Sequence, residues 1–297
     1  MFSAQPEWLS GVADRVGDRR LPGGRVVFTG CGTSFHAAMT GGEAVQALEA
    51  VLRPPAADLM VCVSHEGETR LTIEAARAFK QSPPPTPERD HHRPVWLVTG
   101  KEESPLADLA DEVVVATPAV EESWCHTASY TCAVAALCAL RGEDVSWLPE
   151  AVAAEVDATE RASDHERWIV AGAGRDLATA HEAVLKLREG AWVAAEAYET
   201  EQLLHGYLAA VDEGVRAYVL QGEGRAAERA DDARRALELL GADTTLVQTR
   251  HPVVDVVQFQ LLTLVLAEAR GADPDRIRRH DERWAAAAAA ANTSLSD

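Results

Sequence analysis

Val26-Val27-Phe28-Thr29-Gly30-Cys31-Gly32-Thr33-Ser34 and, further along, Leu59-Met60-Val61-Cys62-Val63-Ser64-His65-Glu66-Gly67-Glu68-Thr69 decide the fold. In each stretch an apolar, β-branched run ends in glycine and hydroxyl residues, and a helix-compatible segment follows. In an open parallel sheet, ligands bind at the carboxyl ends of strands, where loops turn into helix N-termini. Free backbone N–H groups and the helix dipole favour anions there, and Ser and Thr add donors. A pair of such loops in one sheet points to a pocket for a small polyol, phosphorylated or not. One loop alone is equally well read as ordinary turn chemistry.

Outward from this stretch the pattern repeats. Strands are expected at Arg25–Thr29, Leu59–Ser64, Val95–Thr99 and, more weakly, Glu112–Thr117. Helices are expected at Gln5–Val16, Glu43–Leu52, Thr69–Lys80 and Thr127–Leu140, the last apolar enough to be buried. Ser82–Arg93, rich in Pro and charge, reads as a surface loop. Gly142–Glu166, with a polar helix at Pro149–Arg161, is the expected boundary between domains 1–145 and 146–297. After it, Trp168–Gly174 echoes Val26–Gly32. A long helix over Leu177–Tyr198 follows, then strand Val215–Leu220, helix Ala226–Leu240, strand Thr244–Val247 and helix Val253–Ala269. Alternating strands and helices predict an α/β fold of two related halves, each a parallel sheet covered on both faces. The alanine run Ala285–Ala291 and the polar end after it read as a frayed tail.

The 297 residues, 47% apolar and 25% charged, are those of a globular chain with one large or two medium domains. A net charge of −19 argues against nucleic acid, whose phosphates need a basic face. No apolar run is expected to span a membrane, and the N-terminus lacks a basic-then-apolar signal pattern, so the chain is expected to be cytoplasmic. Five scattered cysteines without C-x-x-C spacing argue against a disulfide framework or structural zinc. With no ligand cluster and no dinucleotide fingerprint, no metal or redox cofactor is expected.

The ordered motifs resemble the sugar isomerase (SIS) family, specifically its tandem-SIS members such as the isomerase half of glucosamine-6-phosphate synthase. Cys31-Gly32-Thr33-Ser34 is similar to the family's first phosphosugar loop, and Ser64–Thr69 to its S-x-S-G-E-T loop. More specific is Leu185-Lys186-Leu187-Arg188-Glu189, followed by Ala195-Glu196-Ala197-Tyr198 and then His205-Gly206, which is similar to L-K-L-K-E … A-E-A-Y … H-G. The resemblance implies two SIS-type (flavodoxin-like) sandwiches in tandem. The segment before Arg25 reads as a lead-in helix without an N-terminal Cys, so no glutamine-hydrolysing domain is expected. Stand-alone relatives of this type are aldose–ketose isomerases, aminosugar deaminases and deglycases.

Such chemistry moves a proton between C1 and C2 through an enediol or enamine, and a second acid/base opens the sugar ring. By resemblance Glu189 is the proton-transfer base and His205 the ring-opening group, the latter reaching a neighbouring subunit in a homodimer. Lys186, three residues before Glu189 on the same helix face, holds Glu189 ionised or contacts a substrate hydroxyl. Without the resemblance, the Lys186–Glu189 spacing is that of an ordinary surface pair. Gly32, Thr33, Ser34, Ser64 and Thr69 are the expected ligand contacts, with His65 and Glu66 setting selectivity and His126 narrowing the pocket. A non-catalytic sugar sensor is the alternative from another class.

Three departures from the family bear on the substrate. Glu66 stands where relatives place a phosphate-binding Ser, and a carboxylate a few Å from a phosphate is strongly repelled at low effective dielectric. Either Glu66 points away or the substrate carries no phosphate there. Asp273–Trp284 holds four arginines and no lysine, so a Schiff-base step from the tail is not expected. The stretch between Ser34 and Leu59 is shorter than in relatives, so one strand of the first sheet is expected to be missing.

Overall fold

A computed structural model describes residues 1–83, 92–156, 158 and 162–295. The chain divides into two compact units, Met1–Ala153 with Arg278–Asp297, and Ala154–Ile277.

The first unit opens with α1 (Gln5–Ser10) and α2 (Val12–Val16), separated at Gly11, where one continuous lead-in helix was expected. A Cβ on Gly11 would lie 2.4 Å from the Arg15 guanidinium, which folds back over the break. Then come β1 (Val26–Gly30), α3 (Thr33–Gly41), β2 (Ala44–Gln46), α4 (Ala47–Leu52), β3 (Leu59–Val63), α5 (Arg70–Gln81), β4 (Val95–Thr99), β5 (Glu112–Val115), α6 (Ala128–Leu140) and α7 (Leu148–Val156). The sheet is parallel, in the order β2-β1-β3-β4-β5. Strand β3, Leu-Met-Val-Cys-Val, is buried on both faces, as a central parallel strand must be. Helix α6 is buried almost throughout, as its composition predicts.

The strand expected to be missing is present as the short edge strand β2, paired through Phe28↔Ala44. Its cause is Gly41-Gly42. The Phe28 ring lies where a Gly41 side chain would be, at 2.6 Å, and Gly42 has φ 147°. The helix therefore stops there and the chain turns back beside β1 instead of continuing as helix from Glu43.

The second unit contains β6 (Arg167–Gly172), α8 (Arg175–Ala191), β7 (Ala194–Glu199), α9 (Thr200–Leu204), β8 (Val215–Gln221), α10 (Arg225–Leu239), β9 (Asp243–Gln248) and α11 (Pro252–Arg270). Its parallel sheet runs β7-β6-β8-β9, the same order as the first four strands of the other unit. The helix expected to continue to Tyr198 ends at Ala191. Trp192 adopts the left-handed conformation at its C-cap, and Ala194–Glu199 pairs with β6 as an edge strand. Its Ala and Glu residues read as helix by propensity, but sheet pairing overrides it.

Three further expectations change. Helix α11 is long and apolar enough to cross a membrane by length and composition, contrary to the sequence reading, but two thirds of that window is buried, with Phe259, Leu262 and Leu266 in the core of the sheet. Arg93, expected on a surface loop, is buried with its guanidinium 3.7 Å from the Phe79 ring centre and bonded to the carbonyls of Pro55 and Ala57. The rest of that loop, 84–91, and most of the polar helix's end, 157 and 159–161, lie outside the described residues. The alanine tail forms α12 (Glu282–Ala291), exposed and started by Asp281, whose carboxylate accepts the Arg283 N–H. Alanine's helix propensity and the Asp cap account for it.

Candidate active site

In the first unit the two quoted loops lie at the carboxyl ends of β1 and β3. Gly30 packs so tightly that a Cβ would sit 2.9 Å from both the Val63 carbonyl and the Ser34 backbone. Gly32 caps α3 at φ 55°, ψ −131°, a backbone conformation that favours glycine even though a side chain there would meet open space. Thr33, Ser34, His65 and His126 line one cavity together with Thr99, Thr117 and Ser129. That cavity is about 20 Å³, room for one water molecule. A sugar ring enters only if its walls move.

His65 is neutral in this setting. Burial first, and then the neighbouring His126, lower its pKa to about 4. Its Nε2 accepts the Glu121 backbone N–H at 2.8 Å, which leaves the proton on Nδ1. The ring lies against Gly100, where a Cβ would be 2.4 Å from Cε1. His126 meets His65 edge-on, with ring centres 5.2 Å apart.

Glu121, absent from the expected site residues, organises this wall. Its buried carboxylate accepts the N–H and hydroxyl of Thr127, the Ala128 N–H, and the N–H and hydroxyl of Ser129 at the start of α6. Burial pushes its pKa up, but these donors and the nearby His126 win and hold it at about 2. The sequence signal was a Glu a few residues ahead of Thr-Ala-Ser at a helix start.

The remaining first-unit candidates do not line that cavity. Ser64 is buried, and its hydroxyl lies 3.4 Å from that of Thr69, the N-cap residue of α5. Glu66 is 41% exposed on its side chain and turns to Lys101, whose ammonium lies 3.2 Å from Glu66 and 2.8 Å from Glu68. Lys101 was not among the expected site residues.

In the second unit, Lys186 is fully buried on α8 between two carboxylates, Glu189 Oε2 at 2.9 Å and Glu182 Oε1 at 3.4 Å. Glu182 is fully buried, whereas Glu189 keeps 26% of its side chain exposed. A buried ammonium is tolerated when paired and hydrogen-bonded, and one carboxylate of this triad stays within reach of solvent. The arrangement fixes one Glu189 oxygen against the buried ammonium and leaves part of the carboxylate open to a ligand. His205 caps the C-terminal end of α9 and is 82% exposed, with Nδ1 3.7 Å from Glu201. Among the described residues no hydrogen bond or ion pair joins His205 to Glu189.

No protein-family model matches the chain. Glutamine–fructose-6-phosphate aminotransferase (isomerizing) of Symbiobacterium thermophilum is 28% identical over 315 residues, covering 86% of this chain and 50% of that protein. The Pyrococcus horikoshii enzyme of the same name is 26% identical, over 90% of this chain and 52% of its own length. The chain thus spans about half the length of the curated relatives it matches. Among solved structures, the C-terminal domain of glucosamine-fructose-6-phosphate aminotransferase from Francisella tularensis superposes with a TM-score of 0.78 at 20% identity, covering 92% of this chain and 96% of that one. Glucosamine-6-phosphate deaminase from Thermotoga maritima gives 0.76 at 22% identity, covering 93% and 95%. The chain is therefore homologous to these isomerizing aminotransferases over about half their length, and its fold of two parallel α/β sheets is that of sugar isomerase (SIS) proteins.

Proposed function

We propose that this chain is a tandem-SIS enzyme that moves a proton between C1 and C2 of a sugar or aminosugar, as an isomerase, deaminase or deglycase. The observation that carries this reading is the Glu182–Lys186–Glu189 triad, in which a fully buried lysine pairs with a partly exposed carboxylate. A structural ion pair has no need of one open member. In this reading Glu189 is the base, Lys186 keeps it ionised, and His205 opens the ring. Its 82% exposure suits a group that serves a neighbouring subunit of a homodimer in the cytoplasm. Gly32, Thr33, Ser34, Ser64 and Thr69 receive the ligand, with His65 and His126 as its selectivity wall. The matching strand orders support two SIS domains in tandem.

The names of the relatives point to a hexose phosphate. The turn of Glu66 onto Lys101 supports that substrate, because it takes the carboxylate's charge away from the loop interior. The opposite reading, a sugar sensor without turnover, is favoured by Glu66, which departs from the family pattern of the second loop. Thermal-shift titration with fructose-6-phosphate and glucosamine-6-phosphate, paired with an assay of their conversion, separates the two. Glu189→Gln is expected to keep saturable stabilisation while turnover falls by roughly 10²–10⁴-fold, the usual worth of a general base. Unimpaired turnover in that variant removes Glu189 from the mechanism.

A further inference from the structure

The second unit contains a cavity of about 610 Å³ at the amino ends of β6 and β8, the opposite end of the sheet from the start of α8. None of the expected site residues lines it. Its floor is apolar, built from Ile169, Val211 and Val215 of the sheet's core. One wall is aromatic. The rings of Tyr198 and Tyr207 lie 4.6 Å apart, and Tyr207 is 54% exposed. The volume is in the range of pockets for small ligands, and an apolar lining with a few convergent polar groups is their usual character.

The polar groups define what fits. Arg188 donates through Nη1 to the Ala195 carbonyl at 2.8 Å and has no carboxylate partner among the described residues. Glu196 accepts the Tyr198 hydroxyl at 2.8 Å and has no cationic partner among them. Arg167 is already committed to Asp212 and the Ala210 carbonyl. The cavity thus offers one unpaired guanidinium and one unpaired carboxylate, of zero net charge. A phosphate would gain Arg188 but meet Glu196 and the field of a chain with net charge −19. A neutral ring with adjacent hydroxyls, or one carrying an amine, uses both. Planar carboxylate and guanidinium groups bond pairs of such polar atoms, and a tyrosine face covers the apolar side of a ring.

We propose that this cavity is a second binding site, for an unphosphorylated sugar or aminosugar stacked on Tyr207 and held by Arg188 and Glu196. No residue of the Gly32–Ser34 or Ser64–Thr69 loops lines it, and it does not depend on the reaction assigned to Glu189.

The test is calorimetric titration of the full chain with glucosamine and with methyl glucoside, using glucosamine-6-phosphate for comparison. Wild type is expected to bind an unphosphorylated ligand saturably. Tyr207→Ala and the isosteric Glu196→Gln should each weaken that binding about tenfold or more, and Ser34→Ala should leave it unchanged. Circular dichroism confirms that each variant is folded, and because Tyr207 is mostly exposed its truncation leaves the core intact. Absence of saturable binding by unphosphorylated ligands overturns the proposal. So does binding that is lost in Ser34→Ala yet untouched by Tyr207→Ala and Glu196→Gln, which would place the ligand in the first unit. Failure of the Glu189 mechanism leaves these titrations unaffected.

Discussion

The two units share a strand order and a glycine-capped helix after their first strand, yet they bury carboxylates in opposite ways. In the first, Glu121 is sunk at the start of α6 beside His126 and wrapped by donors from Thr127, Ala128 and Ser129; against the burial, His126, Ser129 and Thr127 hold its pKa at about 2. In the second, Asp255 is equally buried at the start of α11, where the Arg250 N–H reaches both its oxygens at 3.0 Å. Burial, helped by the neighbouring Asp176, pushes its pKa up to about 6 despite that donor. The same fold therefore supplies a permanently charged carboxylate in one half and one that takes up a proton near neutrality in the other. At similar burial the neighbours decide: His126 and the hydrogen-bond donors around Glu121, the Asp176 carboxylate and fewer donors around Asp255.

That contrast can be broken or sharpened experimentally. The largest effect on stability is expected at the third buried acid–base cluster. Lys186→Met removes the cation that joins the Glu182 and Glu189 carboxylates and is expected to destabilise the protein by about 3–5 kcal/mol in urea melts. A loss under 1 kcal/mol would mean that the triad is not a coupled unit.

The two helix-start carboxylates should respond to pH with opposite signs. Glu121 has a folded pKa below its unfolded value, so its contribution is complete above about 4.5 and is lost as pH falls towards 2. Glu121→Gln should therefore cost roughly 3 kcal/mol at pH 7 and flatten the acid limb. Asp255 has a folded pKa above its unfolded value, so the folded state binds the proton more tightly and stability falls as pH rises from about 4 to 6. Asp255→Asn should add about 3 kcal/mol at pH 7 and almost nothing at pH 4. Equal pH profiles in the two variants would contradict the contrast. The smallest effect is expected outside both sheets. Asp281→Ala should raise hydrogen exchange in α12 by the ~1 kcal/mol worth of an N-cap and leave the global melting temperature unchanged.

The central strands were legible because they are buried on both faces and read as continuous apolar runs, as in Leu59–Val63 and Trp168–Ala171. The edge strands β2 and β7 were not. Ala44-Val45-Gln46 is only three residues long and Ala194–Glu199 is mostly Ala and Glu, so neither reads as a strand alone, and their pairing with β1 and β6 makes them strands. Lys186 and Glu189 were legible from spacing and motif, whereas Glu182, one turn back, carries no motif and is seen only in its contact with Lys186. Glu121 reads in the sequence only as part of a polar stretch ahead of α6, because its role depends on a loop that brings it back onto the helix it precedes. Glu66 stood out by its departure from the family pattern, but its pairing with Lys101, 35 residues on, is a tertiary fact.

The most direct test of the proposed chemistry is proton exchange. Incubation of fructose-6-phosphate, glucosamine-6-phosphate and their unphosphorylated forms with the protein in D₂O, followed by NMR, reads whether the C1 or C2 proton passes to solvent. Transfer through an enediol or enamine by a solvent-connected base predicts deuterium at that carbon with the wild type and none with Glu189→Gln. A saturably bound sugar that never exchanges, or exchange that persists undiminished in Glu189→Gln, would contradict the account.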